Sequence, residues 1–202
     1  VYMKKIGIIG GTFNPVHNGH LFIAEEIRVT MGFTRVIFIP NKIPPHRTDV
    51  NLSTEEHRWN MLNLAISNND FFESSRVELD RQGMSYTVDT IRCFYNLYHG
   101  DSLFFITGMD ALLNYSWYNF PELIDMLTGF IAISRPGYAR EVLLNKIETN
   151  YPLFSNKIIV VNSLLLEISS SDIRKRLKEG KSIKYLIPDT VEKYISDNKL
   201  YI

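Results

Sequence analysis

The chain has 202 residues, 45% of them hydrophobic and 22% charged, and its 22 basic and 22 acidic side chains cancel. That size suits one domain or one domain with a small appendage, and the zero net charge argues against a broad basic face for nucleic acid. No apolar run approaches the ~20 residues of a membrane span, and a lone Cys93 excludes an internal disulfide.

Val1 and Tyr2 precede Met3 and read as an added remnant, which leaves 3–202 as one domain with a small helical part from about residue 168. Lys5–Ile9 is a short apolar run of the kind a strand buried on both faces needs. A helix is expected from Asn18, its N-cap, through Leu21, Ala24, Glu25, Ile27 and Arg28 to a C-cap at Gly32. Arg35–Ile39 is the second strand, followed by the proline-rich loop PNKIPPHRTDVN. Ser53 and Glu56 form a capping-box pattern, and Trp59, Met61, Leu62, Ala65 and Ile66 mark one buried helical face. Arg76–Leu79 reads as the third strand. Tyr86–Tyr98 reads as a helix with Val88, Ile91, Phe94, Tyr95 and Tyr98 inward, which makes Cys93 a packed or half-exposed thiol. Strands four to six fall at Leu103–Thr107, Gly129–Ser134 and Lys157–Val161. Helices fall at Pro121–Leu127, Arg140–Asn150, Ser170–Lys178 and Pro188–Asn198, with Pro188 in the first turn. This alternation predicts an α/β fold: a doubly wound, mainly parallel sheet with helices on both faces. Ligands then bind beyond the carboxyl ends of the strands, where the strand order reverses.

The loops after the strands carry the chemistry. The first reads GGTFNPVHNGH, residues 10–20. Gly10 and Gly11 can adopt angles closed to other residues and let a ligand approach the main chain. His17 and His20 lie three apart at a helix start, where free N–H groups and the helix dipole attract anions. The string is neither GxGxxG nor a P-loop. A metal site is disfavoured, since no third His or Cys ligand is near. In PNKIPPHR, Asn41, His46 and Arg47 either converge as phosphate donors or belong to a stiff surface loop. Ser85-Tyr86-Thr87 caps a helix. Asp110, after Thr107-Gly108-Met109, is either an N-cap or a ribose contact. Trp117-Tyr118 sits in the polar stretch NYSWYNFPE, which weakens a core role for Trp117. Arg135 follows the fifth strand, and the serines of ISSSDIR (168–174) open a helix with Arg174 one turn after Ser171.

HxGH after a first strand resembles the signature of the nucleotidyltransferase superfamily. The fuller string GGTFNPVHNGH is similar to that of the bacterial nicotinate mononucleotide adenylyltransferase family, which usually has Asp where this chain has Asn14. PNKIPPHR, SYTVDT, TGMD, SRPG and ISSSDIR resemble that family's strings in order, with Ser171 where the family has Thr, so the resemblance covers nearly the whole chain.

The resemblance implies a Rossmann-like nucleotidyltransferase fold and adenylyl transfer from ATP to nicotinate mononucleotide, giving deamido-NAD and pyrophosphate in NAD biosynthesis. It implies that His17, His20 and Arg174 are the catalytic donors. ATP is to be held by Gly10, Gly11, Thr12, Phe13, Ile106, Gly108, Asp110, Ile168, Ser169, Ser170 and Ser171. Nicotinate mononucleotide is to be held by Asn41, His46, Arg47, Ser85, Tyr86, Thr87, Trp117, Tyr118 and Arg135. Within that set the Thr87 backbone would meet the nicotinate carboxylate and Trp117 would stack on the pyridine ring. Mg²⁺ would bind mainly through the ATP phosphates rather than at a protein metal site. The expected partners are the two substrates alone, with no nucleic acid or membrane, a homodimer left open, and a cytoplasmic location. Other readings are a nicotinamide mononucleotide or pantetheine-phosphate adenylyltransferase, or a nucleotide sensor without activity.

Overall fold

A computed structural model describes residues 3–42, 52–134, 140–162 and 167–202. His46, Arg47 and Arg135 lie outside these residues. The described elements alternate: β1 (Lys5–Gly11), α1 (Asn18–Met31), β2 (Arg35–Pro40), α2 (Glu55–Ile66), β3 (Phe72–Ser74), α3 (Thr87–Leu97), β4 (Ser102–Gly108), α4 (Met109–Asn114), α5 (Phe120–Met126), β5 (Gly129–Ser134), α6 (Arg140–Asn150), β6 (Ile158–Asn162), α7 (Ser170–Lys178) and α8 (Asp189–Asp197). The six strands form one sheet in the order β3-β2-β1-β4-β5-β6, and every neighbouring pair is parallel.

The apolar runs explain this layering. Ile6 and Ile8 of β1 pack into one core cluster and Ile9 into the other, so the strand is buried on both faces. Helices α1, α2, α7 and α8 cover one face with Ala24, Ile27, Met61, Leu62, Ile173, Val191 and Ile195. Helices α3, α4, α5 and α6 cover the other with Val88, Ile91, Phe94, Leu112, Leu123, Leu143 and Ile147. Gly32 ends α1 in the left-handed region at φ 68°, as expected of a C-cap glycine.

Some local expectations are corrected. The third strand is Phe72–Ser74, paired with Val36–Phe38 at the sheet edge; Arg76–Leu79 is a turn closed by Asp80 N–H donating to the Arg76 carbonyl at 2.9 Å. Its apolar-polar alternation misled because Val77 and Leu79 are turned inward by that turn rather than by a pleat. Tyr95 is exposed, since it lies one position, about 100° of helix, beyond the inward Phe94. Of the two states expected for Cys93, packed or half-exposed, the packed one is ruled out, since the thiol is exposed. The cap of α2 is Thr54, whose Oγ1 accepts from the His57 N–H; Ser53 has another task. Helix α1 starts with His17 as its N-cap residue and Asn18 as its first helical residue. Pro188 is the N-cap of α8 rather than part of its first turn, and α4 was not foreseen at all.

Ile131 lies in the middle of β5, wholly buried against the face that carries α1 and α7. Ile131→Ala is expected to cost about 2–5 kcal/mol, read as a lowered midpoint in urea denaturation with an unchanged slope.

Candidate active site

Parallel strands send every β-to-α loop to one edge. There the order reverses between β1 and β4, and two adjoining cavities open, of about 1290 Å³ and 280 Å³. They share Gly10, Gly11, Thr12 and Thr107, so the ends of β1 and β4 are a common wall.

The β1–α1 loop departs from expectation in its glycines. Gly10 and Gly11 are the last residues of β1 and neither has a positive φ. The left-handed residue is Phe13, at φ 48°. Gly11 is needed for space: a Cβ there would come within 2.9 Å of the Phe13 ring, which packs edge-on to His20. A non-glycine residue held at positive φ costs on the order of 1 kcal/mol, and such strain gathers at functional sites.

The two histidines are stacked, ring centroids 3.6 Å apart at 22°. The His17 main-chain N–H donates to His20 Nδ1 at 3.2 Å, which leaves the His20 ring proton on Nε2. His17 is only 6% exposed, and burial pushes its pKa down to about 4. Two stacked imidazolium rings would also repel each other, which adds to the effect of burial in keeping His17 neutral at neutral pH. His17 Nδ1 is buried without a hydrogen-bond partner among the described residues.

Opposite them stands the N-terminus of α7. Ser169 caps it, accepting from the Asp172 N–H at 3.1 Å, and Ser170 Oγ donates to the Pro15 carbonyl at 2.8 Å. Arg174 donates through Nη1 to the Asn14 carbonyl at 2.8 Å and through Nη2 to Ser171 Oγ at 3.3 Å. His17, His20, Ile168, Ser169, Ser170 and Ser171 all line the larger cavity, with Gly10, Gly11, Thr12, Phe13, Ile106, Gly108 and Asp110. Arg174 does not line it; it stands behind Ser171. Asp110 belongs to the first turn of α4, whose N-cap is Gly108, so it is not the cap itself.

The smaller cavity brings together Asn41, Ser85, Tyr86, Thr87, Trp117 and Tyr118, and it is also lined by Glu78 and Thr90, which the sequence did not single out. Trp117 Nε1 donates to the Ala111 carbonyl at 3.2 Å, and the indole meets Phe105 and Phe130 edge to face. Tyr118 is mostly exposed and leans on the Tyr86 ring at 4.6 Å. Ser85 Oγ accepts from the Lys42 N–H at 3.1 Å. Glu78 is buried, accepts from the Thr90 hydroxyl at 2.7 Å, and has its pKa raised by burial. It was hidden inside the segment misread as a strand.

Arg58 was missed as well. Its side chain is almost wholly buried, and Nη1 donates to the Thr12 carbonyl at 2.9 Å and the Asn41 carbonyl at 2.8 Å, joining the loops after β1 and β2. A charged residue three and four positions before Met61 and Leu62, on the buried face of α2, was the available signal. Among the described residues no group of three His, Cys, Asp or Glu side chains could hold a metal ion.

Residues 8–176 match the family model described as cytidylyltransferase-like. The chain belongs to that family. Within this cytidylyltransferase-like family it is 43% identical to the nicotinate-nucleotide adenylyltransferase of Bacillus subtilis, over 98% of this chain and 99% of that one. It is 42% identical to a probable nicotinate-nucleotide adenylyltransferase of Desulfitobacterium hafniense, over 98% and 96%. Among solved structures, the nicotinic acid mononucleotide adenylyltransferase of Plasmodium falciparum, complexed with NaAD, superposes with a TM-score of 0.76 at 25% identity, over 98% and 97%.

The buried His17 gives a pH test. Its pKa is about 4 in the folded chain against 6.5 for a free imidazole, so the stability from neutral burial is present above pH 6.5 and lost as pH falls toward 4. Between pH 7 and pH 4 the wild type is expected to lose about 3 kcal/mol more than His17→Gln in urea denaturation. Equal losses would show that His17 is not held neutral.

Proposed function

We infer that the protein transfers the adenylyl group of ATP to nicotinate mononucleotide, forming deamido-NAD and pyrophosphate. The observation that carries this reading is the pairing of the cavities. The larger one is flanked by two helix N-termini, of α1 and α7, which suits a triphosphate. The smaller is aromatic and meets it at Gly10–Thr12, which suits a mononucleotide whose phosphate points at the shared wall. The near full-length relatives bearing this activity in their names support the same substrates.

The chemistry is a displacement at phosphorus. An oxygen of the acceptor phosphate attacks the α-phosphorus of ATP, the bond to the bridging oxygen breaks, and that oxygen leaves with pyrophosphate. The acceptor phosphate is already anionic at neutral pH, so no general base is required; the residues align the groups and stabilise charge. In this reading His20 donates from Nε2, His17 donates beside it, and the serines at the start of α7 offer hydroxyl and main-chain N–H donors to the phosphates. Arg174 adds a positive charge behind them. A phosphate near His17 favours its protonated form and so opposes the effect of burial. Asp110 would meet the adenosine ribose, Trp117 would offer its face to the pyridine, and the free N–H groups at the start of α3, near Thr87, would donate to the nicotinate carboxylate. An amide has no charge to offer that helix end, which favours the acid. Mg²⁺ would be held mainly through the ATP phosphates, and the hydroxyl oxygens of the α7 serines lining the larger cavity are hard donors that fit it. When bound, the ion would neutralise part of the triphosphate charge.

The reading takes 3–202 as one domain, because α7 and α8 share a core with α1 and α2. It carries with it a cytoplasmic location with ATP at hand, and no helix among the described residues is long and apolar enough to cross a membrane. A homodimer stays compatible with it.

Pyrophosphate release is expected with ATP and nicotinate mononucleotide, and far less with nicotinamide mononucleotide or pantetheine phosphate. Absence of release with any acceptor would favour a nucleotide sensor. His20→Ala should lower kcat by ~10²–10³-fold, the range for loss of a transition-state donor. Trp117→Ala should raise KM for the mononucleotide more than it lowers kcat; a raised KM for ATP instead would remove the stacking role.

A further inference from the structure

Asn14 stands where the resembling family usually has Asp, and it is almost wholly buried. Its Oδ1 lies within hydrogen-bond reach of three donors: the Ser53 N–H at 3.2 Å, Ser53 Oγ at 2.7 Å and Tyr201 Oη at 2.7 Å. Ser53 Oγ and Tyr201 Oη are themselves 2.6 Å apart. The main-chain oxygen of the same residue takes the Arg174 guanidinium. Asn14 thus meets side chains 39, 160 and 187 positions away in sequence. Tyr201 reaches it from a left-handed backbone at φ 66°, which a tyrosine adopts only when its surroundings hold it there. Burial pushes the Tyr201 hydroxyl up to about 12, so it keeps its proton and can donate.

We propose that Ser53, Tyr201 and Asn14 form a latch that positions the β1–α1 loop, so that the Asn14 carbonyl seats Arg174 beside the phosphate-binding serines. Tyr201 and Ser53 are positioning residues. They line neither cavity, and they act through Asn14. The side chain of Asn14 serves as an acceptor. An amide oxygen has two lone pairs and faces three donors, whereas a carboxylate offers more acceptor sites. What the donors around position 14 need is an acceptor oxygen, which an amide and a carboxylate both supply. The adjoining Ser170 to Pro15 hydrogen bond ties the same loop to α7 a second time, so displacement of residues 14 and 15 moves both anchors of the α7 end.

The proposal rests on the adenylyl-transfer reading for the triphosphate, and its test separates the two. Affinities for Mg²⁺-ATP and for adenosine are measured by titration calorimetry on the full chain. Tyr201→Phe removes one hydroxyl and is expected to weaken ATP by about fivefold, the worth of one hydrogen bond, with adenosine unchanged within about twofold. Asn14→Asp keeps the acceptor and retains ATP affinity; Asn14→Leu strands the donors and weakens ATP by more than about 20-fold. Ser53→Ala follows Tyr201→Phe. Should Asn14→Leu fail to fold, Tyr201→Phe, Ser53→Ala and Asn14→Asp still decide. ATP affinity untouched by Tyr201→Phe, equal weakening of ATP and adenosine, or Asn14→Asp as weak as a variant without the acceptor would each overturn the latch. Wild type without turnover on nicotinate mononucleotide would overturn the activity, and the ATP and adenosine comparison would still decide the latch.

Discussion

The reversal of strand order between β1 and β4 is the constraint from which the rest of the molecule follows. Helix α1, directly after β1, packs on one face and helices α4 and α5, directly after β4, pack on the other, so neither can close the gap at the carboxyl edge. The gap must be walled by loops and by main chain. That places Gly10–Thr12 and Thr107 in the common wall of both cavities and leaves the loop after β1 to be braced from outside the sheet.

The bracing is polar and comes from distant segments. Arg58 enters from α2 and joins two loop carbonyls; Arg174 and Ser170 enter from α7 and take two more. Buried hydrogen bonds of this kind add little net stability each, but their loss leaves desolvated groups unpaired, so they hold geometry firmly. The stacked histidines fit the same economy. Burial keeps His17 neutral, and in the proposed function a phosphate beside it would favour its charged form.

Much of this was legible in the chain itself. The central strands carry continuous apolar runs because both faces are buried, and five of six strands were placed to within two residues at either end. The edge strand was not, since FES pairs on one side only and lacks the β-branched residues that mark a strand. The site was legible where a residue type is unusual for a turn, as with His17 and His20. It was illegible where the chemistry depends on contact across the fold. Arg58 looks like any charged helix residue until its carbonyl partners are known. Ser53 looks like a cap, and Tyr201 follows an ordinary helix; neither carries a local mark of its bond to Asn14.

That bond also sets an order of events in the life of the molecule. Protein synthesis is vectorial, and early segments can fold while later ones are still being made. Asn14 emerges among the first residues, yet one of its donors lies 187 positions on. The sheet and most of its helices can assemble around a nascent chain, but the loop after β1 acquires its last brace only after residue 201 has been translated and folded back. A fully braced loop therefore belongs to chains made through that residue, and a product stopped at the end of α8 would keep the sheet while lacking the brace.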